Sequence, residues 1–386
     1  MSKPSLFSAV SRPYATNSQA KDPWLAVNLS MFFPGLGQWY ANKNQKATIW
    51  AIAQVILIIV TIWSIFSPNG PVSWGLGGIV ALVIVYISNI FDAHWTVYDS
   101  RQNNSLEKIP RKQKNPWFAV FANRIMPGLG QLYADKVRLG IIFLTISQIS
   151  LKMDHFFTNI LFLTPLVTAI AIYHVYHTFP HQFHPHRHTY RSILALMVGV
   201  IFTWGIICNY FPNWLHQKIE FFQIPSESML PTLAVGDRIF VSQSGNYQTE
   251  RGDIIVFRTP EKIKQLDPNS GDFFIKRVIA IAGDTIEIRR GKVYLNRQVI
   301  EEPYTAELGN YEIEFMTVPP KNLFVLGDNR NHSFDSHAWG FLPESYIVGQ
   351  AYKVYWPLDR VQSLLSWGSL LIFNCLQGVI LILSTY

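Results

Sequence analysis

Apolar residues run almost unbroken at about 48–66, 74–92, 157–176, 192–211 and 364–384, and a weaker run covers 139–151. The longer runs approach the roughly 20 residues that carry an α-helix across a bilayer, so the first half of the chain is expected to be a multi-pass, α-helical membrane region. Segment 24–41 is apolar as well, but Pro34, Gly35 and Gly37 interrupt it, and it reads as a half-span or an interfacial helix. The pattern changes at 220–359. IFVSQ, DIIVFR, FFIKRVIAIAG, TIEIRR, KVYLN, NLFVLG and AYKVYW are short runs rich in Val, Ile, Phe and Tyr, punctuated by Gly, Asp, Asn and Pro. Those runs predict strands, and together they predict an all-β domain with a core of its own.

An internal repeat divides the helical half. Residues 22–43 (DPWLAVNLSMFFPGLGQWYANK) and 115–136 (NPWFAVFANRIMPGLGQLYADK) lie 93 positions apart and share 12 of 22 residues. Each copy precedes a predicted helical hairpin, as in a duplicated membrane unit. The expected organisation is a polar segment 1–23, membrane repeats 24–114 and 115–191, and a transmembrane helix 192–211. A β-rich domain 212–363 and a C-terminal transmembrane helix 364–386 follow. Residues 1–23 lack the apolar core of a cleavable signal sequence. The PGLGQ glycines read as packing or interfacial turns, because no strand precedes them as a phosphate loop requires.

Charge orients this plan. Loop 99–116 carries Arg101, Lys108, Arg111, Lys112 and Lys114, and loop 177–191 carries Arg187 and Arg191, whereas loop 67–73 has no charge. Positive charge stays on the cytoplasmic side, so 212–363 is expected outside, with 364–384 returning. The net charge of +7 therefore belongs to short juxtamembrane loops and does not point to nucleic acid. Charged residues are 15% of the chain, against about 25% in a typical soluble domain. Cys208 and Cys375 both sit in apolar runs, which excludes a disulfide scaffold and a Cys-rich zinc site. The histidines at 174, 177, 181, 184, 186 and 188 lack a neighbouring carboxylate or cysteine and read as a solvated loop.

Three islands in the β domain carry candidate chemistry: IPSESMLPTLAVGD at 224–237, FFIKRVIAIAGD at 273–284, and GDNRNHSFDSHAWGFLP at 327–343. In this order, behind a membrane span, they closely resemble bacterial type I signal peptidase, over about 220–357. The resemblance implies a β-rich catalytic domain at the outer membrane surface that removes signal peptides from exported preproteins at small-x-small sites. It implies Ser228 as nucleophile, Lys276 as general base and Ser333 as the group that orients the lysine. It also implies an oxyanion hole formed by the Ser226 hydroxyl and the Ser228 N–H. Arg277, Asp328, Arg330 and Asp335 would form a structural network, with Asp328 meeting Arg277. No cofactor or metal is implied. The implied partners are preproteins, the lipid bilayer and the secretion machinery, at the bacterial cytoplasmic membrane.

The residue chemistry is consistent with these roles. A serine hydroxyl needs an adjacent base, and a lysine serves only when neutral, which burial favours. On an extended strand Phe274, Lys276 and Val278 share one face, and Ile275, Arg277 and Ile279 the other. Pro231 would help fix the loop that presents Ser228. The chain departs from the family at His337, where arginine is usual, and at Asn331, where an acidic residue is common. Asp335 would then face a pH-sensitive imidazole. Trp339, Phe341 and Trp356 read as anchors at the headgroup level, with core packing the alternative for Trp356. Two other readings remain: an inactive signal-peptidase-like protein that binds preproteins or partners, and a soluble self-cleaving Ser-Lys regulator, against which the membrane spans count.

Overall fold

The structure is a computed structural model, and it describes residues 21–99, 110, 114–156, 163–179, 187–216, 218–243 and 247–365. By its contacts the chain divides into two units: 1–58 with 80–211, and 59–79 with 212–386. The predicted final span, from 366 onward, and the histidines at 181, 184 and 186 lie outside the described residues.

The first unit is helical. Helix α1 (Pro23–Ser30) starts where the Asp22 carboxylate accepts from the N–H groups of Trp24 and Leu25, with Pro23 in the first turn. A side-chain acceptor at the cap and proline just inside it are the ordinary signals of a helix start. Helix α2 (Leu36–Tyr40) follows a turn at Gly35, whose φ is +98° and where a Cβ would strike the Ala47 carbonyl oxygen. Only glycine fits there. Helices α3 (Asn44–Phe66) and α4 (Val72–Asp99) form the hairpin that follows. Asn115 caps α5 (Pro116–Ile125) as Asp22 caps α1, and Gly128, at φ +108°, opens α6 (Leu129–Tyr133). Helices α7 (Val137–Phe156), α8 (Leu163–Thr178) and α9 (Arg187–His216) complete the order. The two caps meet directly, with Asn115 Nδ2 donating to Asp22 Oδ2 at 2.7 Å.

Among the described residues, three helical segments are long and apolar enough to cross a membrane: Asn44–Phe66, Val72–Asp99 and Tyr190–Pro212. Segment 24–41 is two short helices around a glycine turn and spans nothing by length. The run at 157–176 is a different case. Its described part is α8, a 16-residue helix with Val167, Ala169, Ala171, Ile172 and Val175 buried inside the unit. The buried side of α8 packs against α5, and residues 157–162 of the run lie outside the described residues.

The second unit holds two antiparallel sheets. The larger comprises β1 (Ile219–Gln223), β2 (Arg238–Ser242), β3 (Ile254–Arg258), β4 (Phe273–Ala280), β9 (Asn322–Leu326), β10 (Leu342–Pro343), β11 (Ile347–Trp356) and β12 (Gln362–Ser363). Its order is β1-β2-β11-β3-β4-β9-β10, with β12 beside β11. The smaller sheet, in the order β7-β6-β5-β8, comprises β5 (Thr285–Arg289), β6 (Lys292–Leu295), β7 (Gln298–Val299) and β8 (Ile313–Thr317). The unit is β-rich but not purely so, since two short helices, α10 (Glu261–Leu266) and α11 (Ser336–Trp339), are added. Trp339 corrects an expectation. It is 3% exposed and packs with Phe257, Leu323 and Leu342, so it is core and not a membrane anchor. Phe341 also packs inward, edge-on to Phe324. Trp356 is 45% exposed.

Candidate active site

Ser228 lies on the loop between β1 and β2. Ile224, Met229 and Leu233 pin that loop into the core, all essentially buried with Ile239, Val241 and Ile254. Paired backbone bonds close its base, Ile224 N to Asp237 O at 2.8 Å and Gly236 N to Ile224 O at 2.9 Å. Burying about three large apolar side chains contributes several kcal/mol, enough to hold a short loop in one shape. The chemistry-bearing serine is therefore presented by its neighbours in sequence.

Strand β4 brings the lysine. Lys276 pairs across the sheet with Ile255 of β3 and is 2% exposed. Its Nζ lies 2.8 Å from Ser228 Oγ and donates to the Ile275 carbonyl at 3.0 Å. The Phe274 ring lies 5.4 Å from the ammonium. Burial pulls the Lys276 pKa from 10.5 down to about 8, partly opposed by the carboxylates of Asp335 and Asp328. A lysine in that range holds an appreciable neutral fraction near pH 7, as a general base requires. Ser226 Oγ is 3.3 Å from Ser228 Oγ, on the exposed side of the loop. Ser228 itself is 6% exposed, so the dyad has one open flank.

Ser333 is buried, yet its Oγ forms no hydrogen bond, and none joins it to Lys276. It is close all the same. A Cβ placed on Gly327 would collide with both Ser333 Oγ and the Ser228 carbonyl oxygen. Gly327 is thus the spacer that lets the third island approach the nucleophile loop, a role the sequence reading missed. Its N–H donates to Asp335 Oδ2 at 2.9 Å, and its carbonyl accepts from Arg330 Nε at 3.2 Å. Asn329 N completes the junction by donating to the Ser228 carbonyl at 3.1 Å.

The four charged residues of the expected network separate into three pairs. Arg277 donates twice to Asp328, from Nε to Oδ1 at 2.8 Å and from Nη2 to Oδ2 at 2.7 Å, and also to Gly252 O at 2.9 Å. Its guanidinium stacks 4.0 Å from the Tyr304 ring centre, and Thr232 Oγ1 donates to Asp328 Oδ2. Arg330 turns away to Glu302, with Nη1 2.8 Å from Oε2. Asp335 accepts from His337 Nδ1 at 2.7 Å. The imidazole stacks on Tyr311, centroids 4.1 Å apart. A carboxylate can only accept, so the Nδ1 proton points at Asp335. Thr232, Glu302 and Tyr304 were not foreseen. Glu302 and Tyr304 lie between strands of the small sheet and had no local signal.

Two histidines of the third island lie away from the Ser228–Lys276 contact. His332 is exposed and His337 is engaged by Asp335. Ser228 Oγ is therefore paired with the lysine and lies beside a second serine.

Comparison with known proteins places the region that holds this pair in a family. The family described as "Signal peptidase, peptidase S26" matches residues 193–356, which include both Ser228 and Lys276. The signal peptidase I of Leptolyngbya laminosa is 45% identical over 143 residues, 36% of this chain and 70% of that protein. The signal peptidase I of Bacillus amyloliquefaciens is 36% identical over 160 residues, 38% of this chain and 79% of that protein. Thylakoidal processing peptidase 1 of Arabidopsis thaliana is 45% identical over 143 residues, covering 36% and 42% of the two chains. With identity of this order over most of two signal peptidases, and the matched region enclosing the serine and lysine that meet in the fold, the chain belongs to the signal peptidase I family of serine endopeptidases.

Proposed function

We propose that this protein removes signal peptides from exported preproteins by a Ser-Lys dyad. The observation that carries the reading is the 2.8 Å contact between Lys276 Nζ and Ser228 Oγ, both residues being almost wholly buried. Neutral Lys276 takes the Ser228 proton as Oγ attacks the carbonyl carbon of the scissile bond. The negative charge that develops on the carbonyl oxygen needs donors, and the Ser228 N–H with the Ser226 hydroxyl are proposed for that task. The tetrahedral intermediate collapses as the protonated Lys276 gives its proton to the departing amine. The acyl-enzyme is then hydrolysed by water that Lys276 deprotonates, which frees Ser228. The Ile275 carbonyl holds one N–H of Lys276 and thereby fixes the direction of its lone pair. Ser333, buried and without a partner beside Gly327, is assigned the second contact that steadies the lysine as its charge changes. The paired charges of Arg277–Asp328 and Arg330–Glu302 keep the three islands in register. Small-x-small specificity is carried over from the family resemblance.

The catalytic unit is assigned to the extracytoplasmic face of a bacterial cytoplasmic membrane. Supporting this, Lys353 of β11 bonds to carbonyls of the uncharged 67–70 segment, the loop that positive-inside logic also puts outside. The resemblance to a thylakoidal processing peptidase makes the thylakoid the alternative membrane, separable by fractionation. The membrane bilayer and the secretion machinery are the proposed partners, and the repeated PGLGQ half is proposed as a duplicated membrane module. The test is cleavage of a preprotein with an Ala-x-Ala site by wild type, Ser228→Ala and Lys276→Ala. Cleavage by wild type alone supports the dyad, and equal cleavage by all three removes it.

A further inference from the structure

Lys353 is a buried cation that the proteolytic chemistry does not use. Its side chain points from β11 into the tip of the α3–α4 hairpin, and residues 59–79 belong to the same unit as the β domain. Lys353 is fully buried. Its Nζ reaches four carbonyl oxygens: Ser64 at 3.3 Å, Ile65 at 2.9 Å, Ser67 at 2.7 Å and Gly70 at 2.7 Å. Ser64 and Ile65 close helix α3, whose last carbonyls have no partner within the helix and carry its negative partial charge. A cation there answers both deficits. The loop itself, Ser67-Pro68-Asn69-Gly70-Pro71, supplies no charge of its own.

A second contact lies beside the first. Phe66 stacks on Phe240 of β2 with centroids 5.6 Å apart, and Phe240 stacks on Tyr355 of β11 at 4.2 Å. Ile65 and Phe66 pack against the buried group Phe240, Tyr352 and Leu365. A charged latch and an aromatic stack thus grip the same tip. Burying an ammonium costs several kcal/mol unless its donors are satisfied, so a lysine here is poorly suited to mere space filling. What it achieves is to join the hairpin tip, where α3 ends and α4 begins, to the sheet that carries Lys276.

We propose that Lys353 is a positioning residue that latches the first membrane hairpin to the catalytic domain and so holds the dyad in place for preproteins embedded in the bilayer. The proposal rests on the signal peptidase reading for its activity readout. A short soluble peptide needs only the dyad. A preprotein held in the membrane needs the dyad at a set place relative to the bilayer, and small misplacement costs on the order of 100-fold in rate.

The test uses the full chain in lipid vesicles with two substrates, a co-reconstituted preprotein and a soluble peptide spanning the same cleavage site. Loop 67–71 is also probed by limited proteolysis in detergent. Lys353→Met keeps most of the side chain's length and removes its charge. Gly70→Val acts from the other side, because even a Cβ at Gly70 would meet the carbonyl oxygens of Trp63 and Ser64. Each variant is expected to lower kcat/KM for the preprotein by about tenfold or more, to leave the peptide within about twofold, and to open the loop to protease. Joining the two changes should add little, as expected when both break one interaction. If Lys353→Met does not fold, Gly70→Val alone decides. The proposal is overturned if Gly70→Val leaves loop protection and preprotein cleavage unchanged, or if both substrates fall together. Were wild type to cleave neither substrate, the peptidase reading would fail, and loop protection would still test the latch by itself.

Discussion

The most quantitative consequence of the site concerns pH. Burial moves Lys276 from 10.5 to about 8, a penalty on the charged form of roughly 3 kcal/mol. At pH 7 an ordinary lysine is neutral in about one molecule in 3,000, whereas Lys276 is neutral in about one in ten, a gain of about 300-fold in active base. Since the neutral form acts, kcat/KM for a soluble peptide should rise about tenfold from pH 6 to pH 7. It should bend near pH 8 and level off above pH 9, reporting the free enzyme. The sign for stability runs the same way. The folded pKa lies below the unfolded value, so the folded state binds fewer protons between pH 8 and 10.5, and stability rises with pH across that window. Below pH 8 the full penalty remains. Lys276→Met should therefore melt higher than wild type at pH 7, by a margin that shrinks as pH rises through 8 to 10.5. The gain is smaller than that penalty, because the bonds to Ser228 and Ile275 are lost, at about 1 kcal/mol each. The assay is steady-state peptide cleavage from pH 5.5 to 9.5, with melting followed in parallel. A flat profile, or a single bend near pH 6.5 as for a histidine, would refute the reasoning.

Other residues give sharper contrasts. Gly327→Ala places a methyl group against Ser333 Oγ and the Ser228 carbonyl, so peptide cleavage should drop by about 100-fold, measured beside an unchanged far-UV spectrum. Asp328→Ala leaves Arg277 buried without its bidentate partner and should cost about 3–5 kcal/mol in denaturant unfolding, while Arg277→Met with Asp328→Ala should cost less than the sum of the two. Trp339→Ala should lose about 3–5 kcal/mol as a core deletion. Trp356→Ala, at an exposed site, should leave unfolding within about 0.5 kcal/mol. Ser333→Ala should slow peptide cleavage without lowering the melting temperature, because its hydroxyl has no hydrogen bond to lose.

The Ser228–Lys276 contact was legible because its parts lie in short islands with local signals. Ser228 is framed by the apolar residues that anchor its loop, and Lys276 sits within a strand whose neighbours bury it. The supporting pairs were less legible. Arg330 finds Glu302 28 positions away, and Lys353 finds the hairpin tip more than 280 positions away; neither residue type announces such a partner. Glycine is equally silent. Gly327 reads as a turn residue, and only the fold brings two oxygen atoms against its Cα. Hydropathy carried a related ambiguity, because an apolar run does not say whether lipid or protein covers it. For the buried side of α8 the cover is protein, and for Trp339 it is the β-domain core.

The central claim, that Ser228 attacks and Lys276 activates it, is tested most directly by trapping the acyl-enzyme. A peptide ester ending in Ala-x-Ala would be mixed with the full-length protein and quenched in acid within milliseconds, and its adduct located by mass spectrometry. The account predicts one acyl group on Ser228 in wild type, none in Ser228→Ala, and greatly slowed formation in Lys276→Met that does not recover between pH 6 and 9. An adduct on another residue, or undiminished acylation of Lys276→Met, would contradict it.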